Sequence, residues 1–376
     1  MTVPTMIDTW QMAKPTVPAK RGKDGAPDTP AVPGELVKIQ IPVPELADGE
    51  VLVEVAGCGV CHTDVGYFYD GVPTVQKPPL TLGHEIAGVV VKAGKDFTNL
   101  VGKEVIIPAV MPCNNCDICA SGRGNRCLAQ KMPGNSLGIY GGFSSHIPVP
   151  AADLTIVENK GDFDLATLSV VADAVTSPYQ AAIKAEVKEG DLCIVTGATG
   201  GIGVYMTQIC SVMGAKAVVA IARNQEKLDR SLNYGATKAI STLDKTNKDV
   251  VSEFKAYCKE NKLPSAGWKI FECTGSKAGQ DIALDLLSFV GRMMVVGFGM
   301  QKVDYMLSKL MAFDAEIMGT WGCLPKYYKD VMDYVLAGKI KVNDFVEFRP
   351  MSGILKAFED SHAGKLTQRI VLRPDF

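Results

Sequence analysis

Cys113, Cys116, Cys119 and Cys127 stand in the spacing C-x2-C-x2-C-x7-C. Four thiolates so close in sequence can wrap one tetrahedral ion without long-range folding, and four sulfurs close its shell to water and substrate. Such a site is structural. An iron–sulfur cluster is the sharper rival, but bacterial ferredoxin runs have a shorter last gap and a Pro after the fourth Cys. Here Leu128 follows, so zinc is favoured. A second constellation is of another kind. Gly57-Cys-Gly-Val-Cys61-His62-Thr63-Asp64 is followed by Gly83-His84-Glu85. A catalytic zinc needs three protein ligands and one open position. Cys61 and His84 offer a soft sulfur and an imidazole, and Asp64 and Glu85 are carboxylates suited to orienting such ligands.

A third signal is Thr196-Gly-Ala-Thr-Gly-Gly-Ile-Gly203. It follows a strand pattern and opens a helical one, which is the context a dinucleotide turn requires. Counted from its last glycine it reads Ala198-x-Gly200-x-x-Gly203, with Gly201 and Ile202 between. Glycines let the backbone approach a pyrophosphate, and the helix N-terminus favours its charge. The next strand should end in Asp or Glu to accept from the ribose of NAD. It ends in Ala222-Arg223. That pair leans towards NADP, since Arg223 could hold a 2′-phosphate.

The elements around these residues change character along the chain. Lys14–Gly34, rich in Pro, Lys, Gly and Asp, reads as a loop or long hairpin connection. From Leu36 come short alternating runs, Val51–Val55, Ile86–Val91 and Glu104–Ile107, divided by Gly and Pro, as in an all-β region. At Ser177-Pro178 a helix cap is expected, with a helix over Pro178–Val187. Strand Leu192–Val195, helix Gly203–Met213 and strands Val218–Ile221, Lys269–Cys273 and Met293–Val296 then alternate as in a doubly wound parallel sheet. A helix, Tyr327–Leu336, and a strand, Gln368–Leu372, close the chain.

The chain has 376 residues, net charge −2 and eleven cysteines. It carries no basic stripe, no apolar run of membrane-span length and no apolar block within Met1–Lys20. Nucleic acid and membrane are therefore excluded as partners, and the expected location is the cytoplasm. Cysteines in a long chain without a secretion signal point to metal or catalysis rather than disulfides.

Gly59-Val-Cys-His-Thr-Asp64, Gly83-His-Glu85 and the four-cysteine lobe together resemble the zinc-containing medium-chain alcohol dehydrogenases, over nearly the whole chain. The resemblance implies an α/β protein: a GroES-like β-rich catalytic domain (1–177, with a return at 323–376) and a doubly wound Rossmann domain (178–322). It also implies two zinc ions per subunit and a nicotinamide cofactor. It implies a homodimer or homotetramer, with sheet-edge strands near 290–320 meeting across subunits. Many members have a cysteine six residues before a junction tyrosine. Six before Tyr179 stands Asp173, and no cysteine lies between Cys127 and Cys193. The resemblance thus gives a Cys61–His84–Asp173 catalytic set, in which one thiolate and one carboxylate balance Zn²⁺; Glu85 is the other candidate. His62 and Arg369 match positions that meet the pyrophosphate, and Ser177 a hydroxyl beside the nicotinamide. Thr274-Gly275 and Val296-Gly297 sit at strand ends where this fold binds ligands.

The activity implied is hydride transfer between the nicotinamide and an alcohol or ketone, with Thr63 as proton carrier. Where some relatives pass the proton on through a histidine, this chain has Gly66. The cofactor ribose, water, Tyr67 and Tyr69 remain as routes. Gly66–Val72, Asn135–Phe143 and the long N-terminal stretch are similar to the branch of the family that oxidises a ring alcohol on a cyclohexene-carbonyl-CoA thioester. That branch serves the benzoyl-CoA pathway of aromatic degradation and uses NAD. This favours NAD over NADP, and makes Lys20, Arg21 and Lys23 candidates for contact with the CoA phosphates. Tyr67, Phe68, Tyr69 and Tyr140 could wall a ring pocket or simply fill the β-domain core. The alternatives are a general NADP-dependent alcohol dehydrogenase or ketone reductase, and a non-catalytic structural or binding protein on the same fold. The last would be expected to lack Cys61 and His84.

Overall fold

The computed structural model describes residues 3–21 and 27–376. It opens on a strand that apolar alternation does not reveal. β1 (Met6–Lys14) buries Ile7, Thr9, Gln11 and Met12, and two of those four are polar. Thr9 keeps its hydroxyl satisfied against that of Thr81, at 2.8 Å. The Pro-rich stretch then forms a small antiparallel pair, β2 (Lys20–Arg21) with β3 (Pro27–Thr29). Next come β4 (Glu35–Pro42), β5 (Glu50–Gly59), the single-turn helix α1 (His62–Val65) and a π-turn at Gly66–Asp70. After them follow β6 (Leu80–Thr81), β7 (Glu85–Ala93), β8 (Glu104–Ile107), α2 (Asp117–Ala120), β9 (His146–Pro150) and β10 (Thr155–Ile156).

The alternating half runs α3 (Thr176–Lys184), β11 (Leu192–Thr196), α4 (Gly203–Val212), β12 (Ala217–Ala222), α5 (Gln225–Ser231) and β13 (Lys238–Ser241). It continues through α6 (Asn247–Glu260), β14 (Lys269–Glu272), α7 (Lys277–Leu286), β15 (Arg292–Val295), α8 (Ser308–Phe313) and β16 (Glu316–Gly319). The chain closes with α9 (Tyr328–Leu336), β17 (Val346–Pro350), α10 (Ile354–His362) and β18 (Arg369–Arg373).

Two sheets dominate. Strands β11 to β16 form one parallel sheet in the order β13-β12-β11-β14-β15-β16. Helices cover both its faces, so β11 is buried at every position and reads as a continuous apolar run rather than an alternating one. The order reverses between β11 and β14, which opens a crevice at their carboxyl ends. The other sheet is mixed, in the order β10-β8-β7-β5-β18-β17, with β9 also on β5. Thus β17 and β18, from the end of the chain, pair beside β5 from its beginning.

The start of α3 differs from expectation. Val175 rather than Ser177 precedes the helix, and Pro178 sits in its first turn. Ser177 is no cap because it already lies inside the helix, its N–H bonded to the Asp173 carbonyl at 2.9 Å, while its hydroxyl donates to the Asp173 carboxylate. The helix stops early as well, since Glu186 adopts φ 56° just beyond it.

One apolar core joins the halves. Ala87 and Ile106 of the mixed sheet pack in the same cluster as Val171, Tyr179, Val195, Tyr328 and Val371. Tyr328, fully buried, donates to the Ala172 carbonyl and accepts from the Ala109 N–H at 3.1 Å. That phenol ties α9 to both the β-rich part and the junction. No helix among the described residues is long and apolar enough to cross a membrane.

Candidate active site

Sheet register assembles the first cluster. β5 and β7 pair with Gly59 opposite Glu85. Cys61, two residues past Gly59, therefore lies beside His84, one residue before Glu85. β18 joins β5 with Val371 opposite Gly59, which carries Arg369 to the same end. Asp173 arrives from the other side, on a buried 3-10 turn at Thr167–Ala172 that leads into α3.

The donor atoms of Cys61, His84, Glu85 and Asp173 all lie within 4.8 Å of one another. Asp173 Oδ2 is 3.8 Å from Cys61 Sγ and 3.5 Å from His84 Nε2. Its other oxygen accepts from Ser177. Behind His84, Asp64 Oδ1 meets Nδ1 at 3.3 Å and accepts from the Gly83 N–H at 2.9 Å. Asp64 Oδ2 accepts from the Cys61 N–H at 3.2 Å. Gly83 makes this bond at φ 94°, where a Cβ would come within 2.8 Å of Cys58 Sγ and 2.9 Å of the Phe143 nitrogen. Glu85 Oε1 pairs with Arg369 Nη1 at 2.8 Å, while its Oε2 is buried without a partner among the described residues.

These groups suit a cation. Burial opposes a proton on His84, yet Asp64, Asp173 and Cys61 hold its imidazole well above the ordinary range. Burial likewise lifts the Glu85 carboxyl to about 7 against the pull of Arg369. Asp173 is pushed upward by burial, but His84, Ser177 and Arg369 outweigh that and keep it below the ordinary carboxylate value. A buried, partnerless carboxylate oxygen among sulfur, imidazole and carboxylate donors calls for positive charge, and the set matches the ligand types of zinc.

The second cluster lies in the lobe around α2. Sulfur–sulfur distances are 3.9 Å for Cys113–Cys119, 3.6 Å for Cys116–Cys119, 3.7 Å for Cys116–Cys127 and 3.3 Å for Cys127–Cys113. Zn–S bonds near 2.3 Å in a tetrahedron imply sulfurs about 3.8 Å apart. The four thiols fit one ion, and none of the eleven cysteines is in a disulfide.

The nucleotide turn sits at the crevice. Gly197 and Ala198 donate to the Ile221 carbonyl at 2.8 and 3.2 Å, and the first helical bond runs from the Val204 N–H to the Gly200 carbonyl at 3.1 Å. The N–H groups of Gly201, Ile202 and Gly203 precede that bond and form the open helix end. A Cβ at Gly203 would come within 2.0 Å of the Gly197 carbonyl oxygen, so only glycine lets helix and strand pack so closely. Arg369 crosses over here: a Cβ on Gly201 would lie 2.7 Å from its Nη2. The buried Arg369 Nε has no partner among the described residues, which suits an anion. The structure thus brings Arg369 to both the donor cluster and the turn. Thr63 is half-buried on α1, between Cys61 and Asp64, and His62 is exposed beside it.

At the ends of β14 and β15 the Val296 and Gly297 N–H groups donate to the Glu272 carbonyl at 2.9 and 2.8 Å. The fully buried Glu272 carboxylate accepts from the Thr274 N–H at 2.7 Å and the Gly275 N–H at 3.2 Å. Sequence reasoning passed over Glu272, although a carboxylate ending the apolar strand Ile270-Phe271 was the available signal. Arg223 is exposed at the end of β12, where no carboxylate stands. Ala222 is half-buried there.

Residues 47–159 match the alcohol dehydrogenase GroES-like domain, and residues 201–337 match the zinc-binding dehydrogenase domain. A probable D-xylulose reductase A of Aspergillus clavatus is 28% identical over 338 residues, covering 86% of this chain and 90% of that protein. An alcohol dehydrogenase of Geobacillus stearothermophilus is 27% identical, covering 89% and 95%. Galactitol-1-phosphate dehydrogenase from Escherichia coli superposes with a TM-score of 0.80 at 20% identity, covering 96% of this chain and all of that one. That last likeness speaks to the fold.

Proposed function

The chain belongs to the zinc-binding medium-chain alcohol dehydrogenase family, and on that premise we propose that it oxidises a cyclic secondary alcohol at the Cys61–His84–Asp173 cluster, or reduces the ketone. It is an NAD(P)-dependent oxidoreductase with a GroES-like domain and a Rossmann domain. The division we propose places the catalytic part at 1–177 and 323–376, the nucleotide-binding part at 178–322. The observation that carries the reading is the open set of sulfur, imidazole and carboxylate donors, joined through Arg369 to the dinucleotide turn.

When bound, zinc supplies Lewis acidity to the substrate oxygen and the dinucleotide takes or gives the hydride. Cys61, His84 and Asp173 hold the metal, with Glu85 in reserve because Arg369 already engages it. Asp64 fixes the His84 ring, and Ser177 fixes Asp173 beside the nicotinamide. Thr63 passes the substrate's proton. Arg369, His62 and the turn at Ala198–Gly203 receive the pyrophosphate, and the loops Thr274-Gly275 and Val296-Gly297 bound the nicotinamide end. Cys113, Cys116, Cys119 and Cys127 hold the structural zinc.

The substrate we propose is 6-hydroxycyclohex-1-ene-1-carbonyl-CoA, with NAD as acceptor, in the cytoplasm. The N-terminal hairpin supports it. Thr16 Oγ1, with one proton to donate, lies 2.7 Å from the Phe68 carbonyl and 2.8 Å from that of Tyr67, and the Gly34 N–H donates to the Phe68 carbonyl at 2.9 Å. The basic segment is thereby anchored on the aromatic π-turn. Lys20 is exposed there; Lys23 lies outside the described residues. The aromatic wall doubles as core, since Tyr67 and Phe68 are buried in the β-rich cluster with Tyr140 packed on it. A second reading, an NADP-dependent polyol or alcohol dehydrogenase, is favoured by exposed Arg223 and by the D-xylulose reductase relative.

Initial rates with the thioester, NAD and NADP run side by side, test the choice. Rapid reduction of NAD supports the thioester. Turnover of a free polyol with NADP, and none of the thioester, moves the assignment to the second reading.

A further inference from the structure

The cysteine lobe is poor in apolar burial, and α2 buries none of its four side chains. Its order therefore rests on the ion that its thiols hold, because metal binding in so small a unit is folding energy. Between Cys119 and Cys127 runs a 3-10 turn, Gly124–Arg126. It packs so close that a Cβ on Gly124 would lie 3.6 Å from Cys119 Sγ. Asn125, on this turn, is buried and reaches out of the lobe. Its Nδ2 donates to the Trp321 carbonyl at 2.6 Å, 196 residues away. Beside it the Arg126 guanidinium stands 5.0 Å from the centre of the Trp321 ring, a cation–π contact. Trp321 belongs to the crossing from β16 back to the catalytic part. That crossing leaves the parallel sheet at its carboxyl end, where open α/β sheets bind ligands. The Thr320 N–H donates to the Val295 carbonyl at 3.2 Å, one residue before Val296-Gly297. From the other side the buried Gln180 of α3 holds the same stretch. Its Nε2 lies 2.9 Å from the Gly322 carbonyl and 3.2 Å from that of Trp321, and its Oε1 accepts from the Leu324 N–H at 2.8 Å. The crossing is thus clamped between α3 and the cysteine lobe.

We propose that Asn125 is a positioning residue that makes dinucleotide binding depend on the structural zinc. The ion fixes Cys119 and Cys127, these fix the turn between them, and the Asn125 amide fixes the Trp321 carbonyl at the rim of the crevice. Asn125 itself supplies no ligand to the metal. The proposal rests on the dehydrogenase reading, in which the lobe holds zinc and the crevice takes a nicotinamide dinucleotide. Coupling of this kind is reciprocal. If zinc in the lobe tightens the dinucleotide, the dinucleotide must tighten lobe zinc by the same factor.

The test follows NADH and NADPH binding by fluorescence titration, and lobe-zinc binding by competition with a chromophoric chelator. Both are measured in the wild type and in Asn125→Ala, each checked for zinc content and melting. Cys61→Ser, which gives up the catalytic ion, tells the two ions apart. Asn125→Ala should keep both ions and bind the preferred dinucleotide about tenfold more weakly, as the loss of one hydrogen bond allows. In the wild type a saturating dinucleotide should tighten lobe zinc about tenfold, and in Asn125→Ala it should leave lobe zinc unchanged. Lower melting of the variant with dinucleotide binding intact would overturn the inference, and so would equal tightening of lobe zinc in both proteins. A wild type whose lobe zinc ignores the dinucleotide would overturn it too, even if Asn125→Ala does not fold. These results leave the dehydrogenase reading in place. A zinc-replete wild type that binds neither NADH nor NADPH would instead sink that reading, and the inference with it.

Discussion

Each donor at the metal cluster is held by a residue that does not itself supply a ligand. Asp64 takes N–H bonds from Cys61 and Gly83 and faces His84, while Ser177 takes one oxygen of Asp173. Thr63 has no such task, so its removal should separate chemistry from metal binding. Thr63→Ala should lower kcat by about 100-fold or more, the range for lost acid–base catalysis, while zinc stays at two ions per chain by metal analysis. Unchanged turnover would refute the relay role. The cysteine lobe has its own pH signature. In the absence of metal, burial pushes Cys127 up, but N–H and S–H donors led by Cys113 together outweigh it and bring it down to about 7, whereas Cys113, drawn down by the Asn115 N–H, is carried up to about 11 by Cys127, burial and the other thiols. Zinc binds thiolates and must displace protons. At pH 8 Cys127 is mostly ionised and at pH 6 mostly protonated. Zinc uptake by the chelator-stripped protein should therefore be at least about tenfold weaker at pH 6 than at pH 8 from Cys127 alone, and weaker again because the remaining thiols must also release their protons, followed with a chromophoric zinc indicator. Equal uptake at both would remove Cys127 as the first thiolate.

Registers between elements do the assembly. The pairing of β5 with β7 and β18 brings together Cys61, His84, Glu85 and Arg369, residues up to 308 positions apart (369 − 61). Asp173 joins only because the turn before α3 is packed against α9. The Tyr328 phenol is the bolt there, with both of its bonds buried. Tyr328→Phe leaves the Ala172 carbonyl and the Ala109 N–H without it, and should cost about 2 kcal/mol, read from the denaturant midpoint. It should also loosen Asp173, so catalytic zinc should leave before structural zinc. Loss of the two ions together would show that α9 does not govern Asp173. The hairpin β2–β3 is a separate attachment. Replacing Lys20, Arg21 and Lys23 by Gln should raise the KM for the thioester and spare that for cyclohexanol. Equal changes would dissociate the hairpin from CoA recognition.

Across the whole molecule, the dinucleotide crevice belongs to the parallel sheet and the metal cluster to the mixed one, and the shared core fixes their separation. The parallel sheet ends at β16, which among the described residues pairs only with β15. In the segments that lead into β15 and β16, Phe289, Phe298, Met306, Leu307 and Met311 are all more than half exposed. Exposed apolar side chains and an open strand edge are suited to a second copy of the chain. We propose that this edge joins two copies in the homodimer or homotetramer that the family resemblance implies. Leu307→Glu combined with Met311→Glu should shift the protein to a monomer in sedimentation velocity. A wild type that sediments as a monomer would end the proposal.

The sequence by itself determined the local pieces. The four cysteines, the Cys61 motif, Gly83-His84-Glu85 and the glycine turn at residues 196–203 are legible because each does its work within a few residues. The parallel strands were legible too, since burial on both faces leaves plain apolar runs. β1 was not, because the polar residues Thr9 and Gln11 are among its buried positions, Thr9 being satisfied by the Thr81 hydroxyl. The cap at Ser177 was misread because the turn that carries Asp173 starts the helix earlier, at Thr176, so Ser177 already lies within it. Only the tertiary structure decided that Asp173 and Glu85 share one cluster with Cys61 and His84, that Arg369 links this cluster to the dinucleotide turn, and that Asn135 reaches the Tyr67 hydroxyl. Each of these depends on strand register or on a hydrogen bond across a long loop, and such distances are set by packing rather than by spacing along the chain.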